Sequence, residues 1–146
     1  MPITPAKGSE FKRRGCRAKL TSSQGFASST TSVKVAFDTY SYDDGMFVAA
    51  SNSIKILTDG RYTIEAETSW DAHTTGVRDI KIYVNGSSVV EKNDVAAGVG
   101  TVKRSTAGSV LALAKDDLVD LRVWQNSGVT LNFQSTYGRL SVQEVD

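Results

Sequence analysis

Apolar and polar side chains alternate along most of this chain. In residues 61–70 the apolar or small residues Tyr62, Ile64, Ala66 and Trp70 are separated by charged or hydroxyl-bearing ones. A period of two is typical of a strand with one face in a core and the other in solvent. The same period recurs in further segments: Val33 with Val35 and Phe37, Ile54 with Ile56, Ile80 with Ile82 and Val84, Leu111 with Leu113, Val119 with Leu121 and Val123, Leu131 with Phe133, and Leu140 with Val142. The pattern predicts at least eight short strands.

Turn motifs separate these segments, and no helical period is visible. The motifs are Asp44-Gly45, Asp59-Gly60, Asn85-Gly86 and the triplet from Asn126 to Gly128. An Asn-Gly pair between two alternating segments predicts a tight hairpin. The segment KNDVAAGVGTV, residues 92–102, is rich in small residues and predicts a flexible connection. Many short strands without helices predict an antiparallel sandwich or barrel.

Length and composition indicate one folded domain. The 146 residues suit a single core, and 12 glycines with only 2 prolines do not fit a collagen-like chain. No apolar run approaches the ~20 residues of a membrane helix, so we expect no membrane insertion, and no signal peptide is recognisable. Cys16 is the only cysteine and is expected to be a small thiol that is either buried or chemically unremarkable.

Basic charge is concentrated at the N-terminus. The first twenty residues hold six Lys and Arg against one Glu, whereas the whole chain has a formal charge of +1. Residues 1–15 hold both prolines and lack a period, so we predict an extended basic arm there and a folded domain over residues 16–146. Lys12, Arg13 and Arg14 are expected to anchor the arm on an acidic protein surface. Nucleic acid is not expected as a partner, because the cluster is short and no aromatic residues are interleaved with it.

Seven segments, read in order, carry a resemblance to a known superfamily. They are CRAKL, KVAFD, YSYDDGMF, IKILTDGRYTIEAETSW, IKIYVNGSSVV, SVLALAKDDLVDLRVW and STYGRLSV. Together they resemble the globular domain of the C1q and tumour-necrosis-factor (TNF) superfamily over about residues 16–143. Gly60 and Tyr62 match the superfamily's glycine-tyrosine-x-phenylalanine strand, in which Ile64 replaces the usual aromatic residue. Tyr137 takes the aromatic position of the closing strand.

This resemblance implies both a fold and an assembly. The implied fold is all-β, an antiparallel β-sandwich with a ten-stranded jelly roll, and the implied assembly is a homotrimer. Jelly rolls of this type also recur in bacteriophage virions as decoration trimers, spikes and tail-fibre knobs. The chain has no Gly-X-Y stalk and no recognisable signal peptide, so it resembles these virion proteins more than the secreted animal ones.

The aromatic residues divide between core and surface. Tyr62, Phe133 and Tyr137 lie in phase with apolar neighbours or at a superfamily aromatic position, and we expect them in the core or along the trimer axis. Trp124 is out of phase with the apolar residues of its segment and is expected on the opposite face. We interpret it as a surface contact between subunits, with a sugar-stacking site as the alternative.

Patterns that would support catalysis are weak, so we predict no catalytic residues and no enzyme. His73, the only histidine, lies near Asp71 in a polar loop without a nucleophile motif. Glu65 and Glu67 face the same way on their strand, but that face is the wet one, where charged residues are expected.

Acidic pairs are the only candidates for a metal. They are Asp43 with Asp44 and Asp116 with Asp117, and each pair lies in a turn. Aspartate is common in turns because its side chain bonds the local backbone. We therefore predict no cofactor and no metal, and keep Ca²⁺, which prefers oxygen ligands from loops, as an open alternative.

Two functions follow from these expectations. The first is a non-enzymatic structural protein of a bacteriophage virion: a trimeric surface knob, as a capsid decoration, head spike or tail-associated protein, anchored on other virion proteins by its arm. It would be located on the virion surface after synthesis in the host cytoplasm. The alternative is a carbohydrate- or receptor-binding trimer, such as a tail-fibre knob or a C1q-like lectin, acting through the loops SWDAHTTG and KNDVAAGVG.

Overall fold

The chain folds into strands joined by short turns. The computed structural model describes residues 13–96, 98 and 100–145, and within these ranges it has thirteen strands, one 3₁₀ turn at Ala49–Ser51 and no α-helix. The strands are β1 (Gly15–Lys19), β2 (Gln24–Phe26), β3 (Val33–Lys34), β4 (Thr39–Asp43), β5 (Phe47–Val48), β6 (Ser53–Lys55), β7 (Gly60–Trp70), β8 (Val77–Val84), β9 (Ser87–Val95), β10 (Lys103–Leu113), β11 (Leu118–Gln125), β12 (Leu131–Phe133) and β13 (Arg139–Glu144). In the described part of the chain, no helix has the length and apolar character needed to cross a membrane.

The strands form two antiparallel sheets. One, which we call the β7 sheet, has the order β2-β12-β7-β13-β1-β4, and β10 pairs with β7 over its whole length. The other, which we call the β8 sheet, has the order β5-β6-β11-β8-β9, and β3 pairs with β11. The predicted antiparallel sandwich is confirmed.

The core lies between the inner faces of the two sheets. In β7 every second side chain from Tyr62 to Trp70 is fully buried, as the period of two predicts. The rings of Phe26, Trp70 and Phe133 form an edge-to-face cluster with centroids 5.5 to 6.1 Å apart. Such contacts stabilise a core beyond the area that they bury.

The strand directions define two ends of the sandwich. Gly15 begins β1 and pairs with Gln143 near the end of β13, so both ends of the described chain lie together at what we call the terminal end. The loops of the opposite end include 20–23, 71–76, 126–130, 134–138 and the described part of the loop after β9. The two ends therefore present different loops to any partner.

Asn85 and Gly86 form the predicted hairpin turn between β8 and β9. Their φ angles, 50° and 80°, both lie in the left-handed region that a two-residue turn of this type requires. The turn from Asn126 to Gly128 has another role, because β11 belongs to the β8 sheet and β12 to the β7 sheet. It carries the chain from one sheet to the other.

Two predicted boundaries are corrected by the strand pairing. Residues 92–95, assigned to a flexible connection, continue β9, because β8 offers each of them an antiparallel partner as far as Val77. The connection between β9 and β10 is therefore shorter than predicted. Gly15, assigned to the arm, is the first residue of β1, and Lys12 lies outside the described residues.

Candidate functional site

The three aromatic residues expected to pack have two different surroundings. Tyr62 and Phe133 are fully buried in the core, and the Tyr62 hydroxyl donates to the carbonyl oxygen of Thr58 at 2.7 Å. Tyr137 is 37% exposed at the opposite end, with the guanidinium of Arg104 lying 3.3 Å from its ring centroid. Tyr137 therefore lies outside the core of the single chain.

Trp124 lies on the outer face of the β8 sheet. Its neighbours Val123 and Gln125 are buried, whereas Trp124 itself is half-buried. Its partner across the sheet is Asp79 of β8. Trp124 therefore presents part of its side chain to solvent on the strand beside Asp79.

Two buried aspartates on this face differ in the hydrogen bonds and ion pairs that their carboxylates make. Asp120 accepts a hydrogen bond from Arg122 Nε at 2.8 Å and lies 3.6 Å from the ammonium of Lys34. Asp79 has no exposed surface, and neither carboxylate oxygen has a hydrogen-bond partner. Lys81 Nζ, at 3.8 Å from Asp79, is its one ion-pair contact among the described residues.

The pKa of Asp79 reflects this isolation. Burial raises the pKa of its carboxyl from 3.8 to about 6, against the attraction of Lys81, and the neighbouring carboxylate of Glu91 raises it further. Near neutral pH the folded protein thus holds a buried charge that is poorly compensated.

The outer face of the β7 sheet is mostly polar and is crossed by aligned rows of side chains. One row runs from Arg17 through Ser141 and Glu65 to Gly108, across β1, β13, β7 and β10. Arg17 Nε donates to Ser141 Oγ at 2.9 Å. At the β4 edge the ring of Tyr42 lies 5.5 Å from the Arg17 guanidinium and is 38% exposed.

At the other edge of the same face lies a depression with a volume of about 370 Å³. It is lined by Thr63, Glu65, Thr106 and Val110, and it exists where Gly108 has no side chain. A Cβ at Gly108 would come within 2.6 Å of the Ile64 carbonyl oxygen in β7, so glycine permits the close approach of these two strands. Val110, at the rim, is 56% exposed.

His73 and Asp71 serve the loop that contains them. His73 Nδ1 accepts the backbone N–H of Thr75 at 3.2 Å. The Asp71 carboxylate accepts from the Asn132 N–H and from Gln134 Nε2, both at 3.2 Å. His73 and Asp71 therefore each bond to groups of the surrounding loops, and no hydrogen bond joins the two side chains among those found in the described residues.

The acidic turn residues likewise bond nearby groups. Asp43 Oδ1 accepts the backbone N–H groups of Met46 and Phe47 at 2.7 and 3.0 Å. Asp117 accepts from Asn85 Nδ2 and the Ala114 N–H, both at 2.8 Å. Within the described residues, no three His, Cys, Asp or Glu side chains are grouped so that they could hold a metal.

Cys16 is buried, in agreement with one of the two expectations from the sequence. Burial raises the pKa of its thiol to about 12, and the nearby Asp43 carboxylate adds to the effect. Since the thiolate is the reactive form, this cysteine is inert in the folded protein at neutral pH.

Arg13 and Arg14, the described members of the predicted anchor, lie at the terminal end. The Arg14 N–H donates to Glu144 Oε2 at 3.2 Å, and the Glu144 N–H donates to the Arg14 carbonyl at 2.9 Å. Arg14 is half-buried and Arg13 is exposed. Arg14 therefore belongs to the folded domain through its backbone.

The two loops proposed from the sequence for ligand binding meet at the opposite end. The Ala96 N–H donates to the Gly76 carbonyl at 2.9 Å. The Val77 N–H donates to Asn126 Oδ1 at 2.6 Å, which ties in the loop after β11. Segments distant in sequence thus form one surface there.

Comparison with known proteins finds similarity in structure but none in sequence. No protein-family model matches the chain, and no curated protein sequence matches it. Among solved structures, the Eiger TNF of S. frugiperda superposes with a TM-score of 0.63, covering 92% of this chain and 93% of that one at 8% identity. The fold is a TNF-like jelly roll. The described residues of this jelly roll have more strands than the predicted ten because several, such as β3 and β5, are pieces of two residues.

Proposed function

We propose that this chain is a non-enzymatic structural subunit that forms a homotrimeric knob on the surface of a bacteriophage virion. The observation that carries the proposal is a TNF-like jelly roll in which Arg13 and Arg14, the described residues of the basic segment, lie at one end beside β13. Attachment through that segment leaves the opposite end free to face outward. Because one fold serves many functions, the assembly and the location each need a test.

The outer face of the β7 sheet supports the assembly. Tyr42 protrudes at the β4 edge, and the depression around Gly108 lies at the β10 edge, four strand spacings or about 19 Å away. The two patches differ, so a contact between them is head-to-tail, and such contacts close into rings when the rotation allows. In this contact Tyr42 of one subunit fills the depression of the next.

Charge is also complementary across this contact. Arg17 lies against Tyr42 on the protruding side, and Glu65 lines the depression. Docking the tyrosine brings the guanidinium of one subunit toward the carboxylate of its neighbour. Opposite charges at matching positions fix the register of an interface.

Sedimentation of two matched variants tests the assembly. The wild-type protein should sediment at three times the chain mass of 15.7 kDa. Val110→Lys should dissociate it, because the lysine would bury a charge at the rim of the depression. Val95→Lys, at a valine that is 73% exposed at the end of β9, should leave the trimer intact. A wild-type monomer would overturn the homotrimer, and an unaffected Val110→Lys variant would overturn this interface.

Electron microscopy of antibody-labelled particles tests the location. Virions purified from a lysate that contains this chain should carry the label at a regular position on the head or tail. Label confined to the soluble fraction would overturn the virion assignment without affecting the homotrimer.

A second function, carbohydrate or receptor binding, is favoured by the joined loops of the opposite end. Residues 71–76 and the described part of the loop after β9 form one surface, at the other end of the sandwich from Arg13 and Arg14. Binding of the isolated trimer to a glycan array would support this function. Binding that survives replacement of both loops would place the ligand elsewhere.

A further inference from the structure

A small pocket lies at the opposite end, between the turn 134–138 and the ends of two paired strands. Its volume is about 260 Å³. The polar side chains that line it are Lys19, Ser41, Ser135, Thr136 and Arg139. No carboxylate is among the described lining residues, so the pocket combines two cations with three hydroxyl groups.

The two cations of the pocket, Lys19 and Arg139, have one ion-pair partner between them among the described residues. Lys19 of β1 and Arg139 of β13 are direct cross-strand partners, a position in which like charges are destabilising. Arg139 pairs through Nε with Glu67 at 3.0 Å. Lys19 has no ion pair within the described residues. Its neighbour Asp38 accepts hydrogen bonds from the Thr21 N–H and hydroxyl at 2.9 and 2.6 Å.

The hydroxyl-bearing wall of the pocket is held in place by its own packing. A Cβ at Gly138 would overlap the Phe133 ring, so the turn packs directly on the core. The Gly138 N–H donates to the Gln134 carbonyl at 3.0 Å, and the Ser135 N–H donates to Ser23 Oγ at 3.2 Å. Donors fixed in advance lose little entropy on binding.

We propose that this pocket binds the phosphate or sulfate group of a small molecule or of a terminal sugar. Lys19 supplies a point charge, and the terminal nitrogens of Arg139 supply paired donors for an oxyanion. The hydroxyls of Ser135 and Thr136 bond the remaining oxygens. Pockets for drug-sized ligands begin near ~300 Å³, so this one fits a charged group with about one sugar ring.

Calorimetric titration with inorganic phosphate and with sulfate tests the proposal, with chloride as the ionic-strength control. Saturable one-to-one binding per chain is expected, together with a melting temperature that rises with the oxyanion. Lys19→Gln should weaken binding about tenfold or more, because it removes a charge-assisted contact. Lys115→Gln, which alters an exposed lysine at the terminal end, should bind like the wild type.

Two further measurements separate loss of binding from loss of folding, and a sugar-borne group from the free anion. Without anion, Lys19→Gln should melt no lower than the wild type, because it relieves a like-charge pair, so its loss of binding cannot be attributed to unfolding. Glucose 6-phosphate binding more tightly than phosphate, with glucose inactive, would assign the site to a sugar-borne group; equal affinities would assign it to the free anion. Absence of saturable binding, or equal weakening by Lys19→Gln and Lys115→Gln, would overturn the proposal whatever the oligomeric state.

Discussion

At the scale of single residues, the two aspartates on the outer face of the β8 sheet show how the same side chain can have opposite effects. Asp120 is compensated by Arg122 and Lys34, whereas Asp79 is buried with one distant ammonium and no hydrogen bond. A buried charge without such partners disfavours the folded state. The two positions should therefore respond differently to removal of the charge.

Asp79→Asn should raise the free energy of unfolding by about 2 kcal/mol at pH 7–8. The folded pKa, about 6, lies above the unfolded value of 3.8. The favourable contribution of this group is therefore complete below about pH 4 and is lost as the pH rises through 6. Urea unfolding at several pH values should show the variant's advantage only at the higher ones.

Asp120→Asn is the matched control on the same face. It should lower the free energy of unfolding by about 1–3 kcal/mol, because it leaves Arg122 and Lys34 without their carboxylate. If both substitutions changed stability with the same sign at every pH, the contrast between the two sites would be refuted.

Tyr62→Ala should lower the free energy of unfolding by about 3–5 kcal/mol, because it empties a fully buried aromatic site. Tyr62→Phe keeps the ring and loses only the hydrogen bond to the Thr58 carbonyl, so it should cost about 1 kcal/mol. Equilibrium denaturation of both variants separates packing from hydrogen bonding. Equal losses would mean that the hydroxyl, rather than the ring, stabilises the site.

Burial of individual residues was predictable where a strong period surrounded them. Tyr62 and Phe133 follow their phase into the core. Tyr137 has no such period around it, because it lies in the turn before β13, and its stacking with Arg104 depends on a strand far away in sequence. The pair of Lys19 and Arg139 was unpredictable for the same reason, since only the pairing of the first and last strands brings them together.

At the scale of elements, the turns are fixed by local chemistry and the strand lengths by pairing. Asn85-Gly86 could be predicted as a hairpin because both residues adopt positive φ readily. The extension of β9 to Val95 could not, because its polar residues carry no apolar period and only the backbone of β8 defines them as a strand. Tertiary pairing often overrides local preference in this way.

Gly76→Ala should destabilise the protein more than Gly45→Ala. Both glycines have a similar φ, 83° and 86°, so the conformational cost of about 1–2 kcal/mol is shared. Only at Gly76 would the Cβ clash with backbone, at 2.7 Å from the Asn126 carbonyl oxygen; no atom lies within 4 Å at Gly45. Gly76→Ala should therefore cost about 1–3 kcal/mol more, seen as a lower melting temperature.

Equal melting temperatures for the two variants would show that the loops of the opposite end move apart easily. In that case the surface formed by residues 71–76 with the loop after β11 would not be rigid, and the second proposed function would lose its structural basis.

At the scale of the whole molecule, the β-sandwich could be predicted from the sequence, but the order and pairing of its strands could not. Alternation along each segment gives the strands and the side of each that is buried. Nothing in that alternation indicates that β1 pairs with β13, or that β7 is flanked by β10 and β13. The surface proposed for assembly was not predictable either, because Tyr42 and the depression around Gly108 lie on strands at opposite edges of the sheet.

Deleting residues 1–12 should leave the melting temperature unchanged, because the sequence of this segment lacks the apolar alternation that would place it in the core. Deleting residues 1–15 should lower the free energy of unfolding by about 2–3 kcal/mol. It removes the backbone bonds of Arg14 to Glu144 and of Gly15 to Asp44 Oδ2. Thermal unfolding of both truncations measures the difference. An unchanged melting temperature for the longer deletion would show that residues 13–15 do not contribute to the stability of the domain.

The pairing of β1 with β13 also governs when the protein can fold during its synthesis. Among the described strands β1 is synthesised first, whereas β13, one of its two sheet neighbours, is synthesised last. Until β13 has been made, the edges of β1 and β7 that receive it are open to other nascent chains, a known route to aggregation. The β7 sheet can therefore be completed only after β13 has left the ribosome, and a premature stop codon that removed β13 would leave a gap inside the sheet rather than shorten a tail.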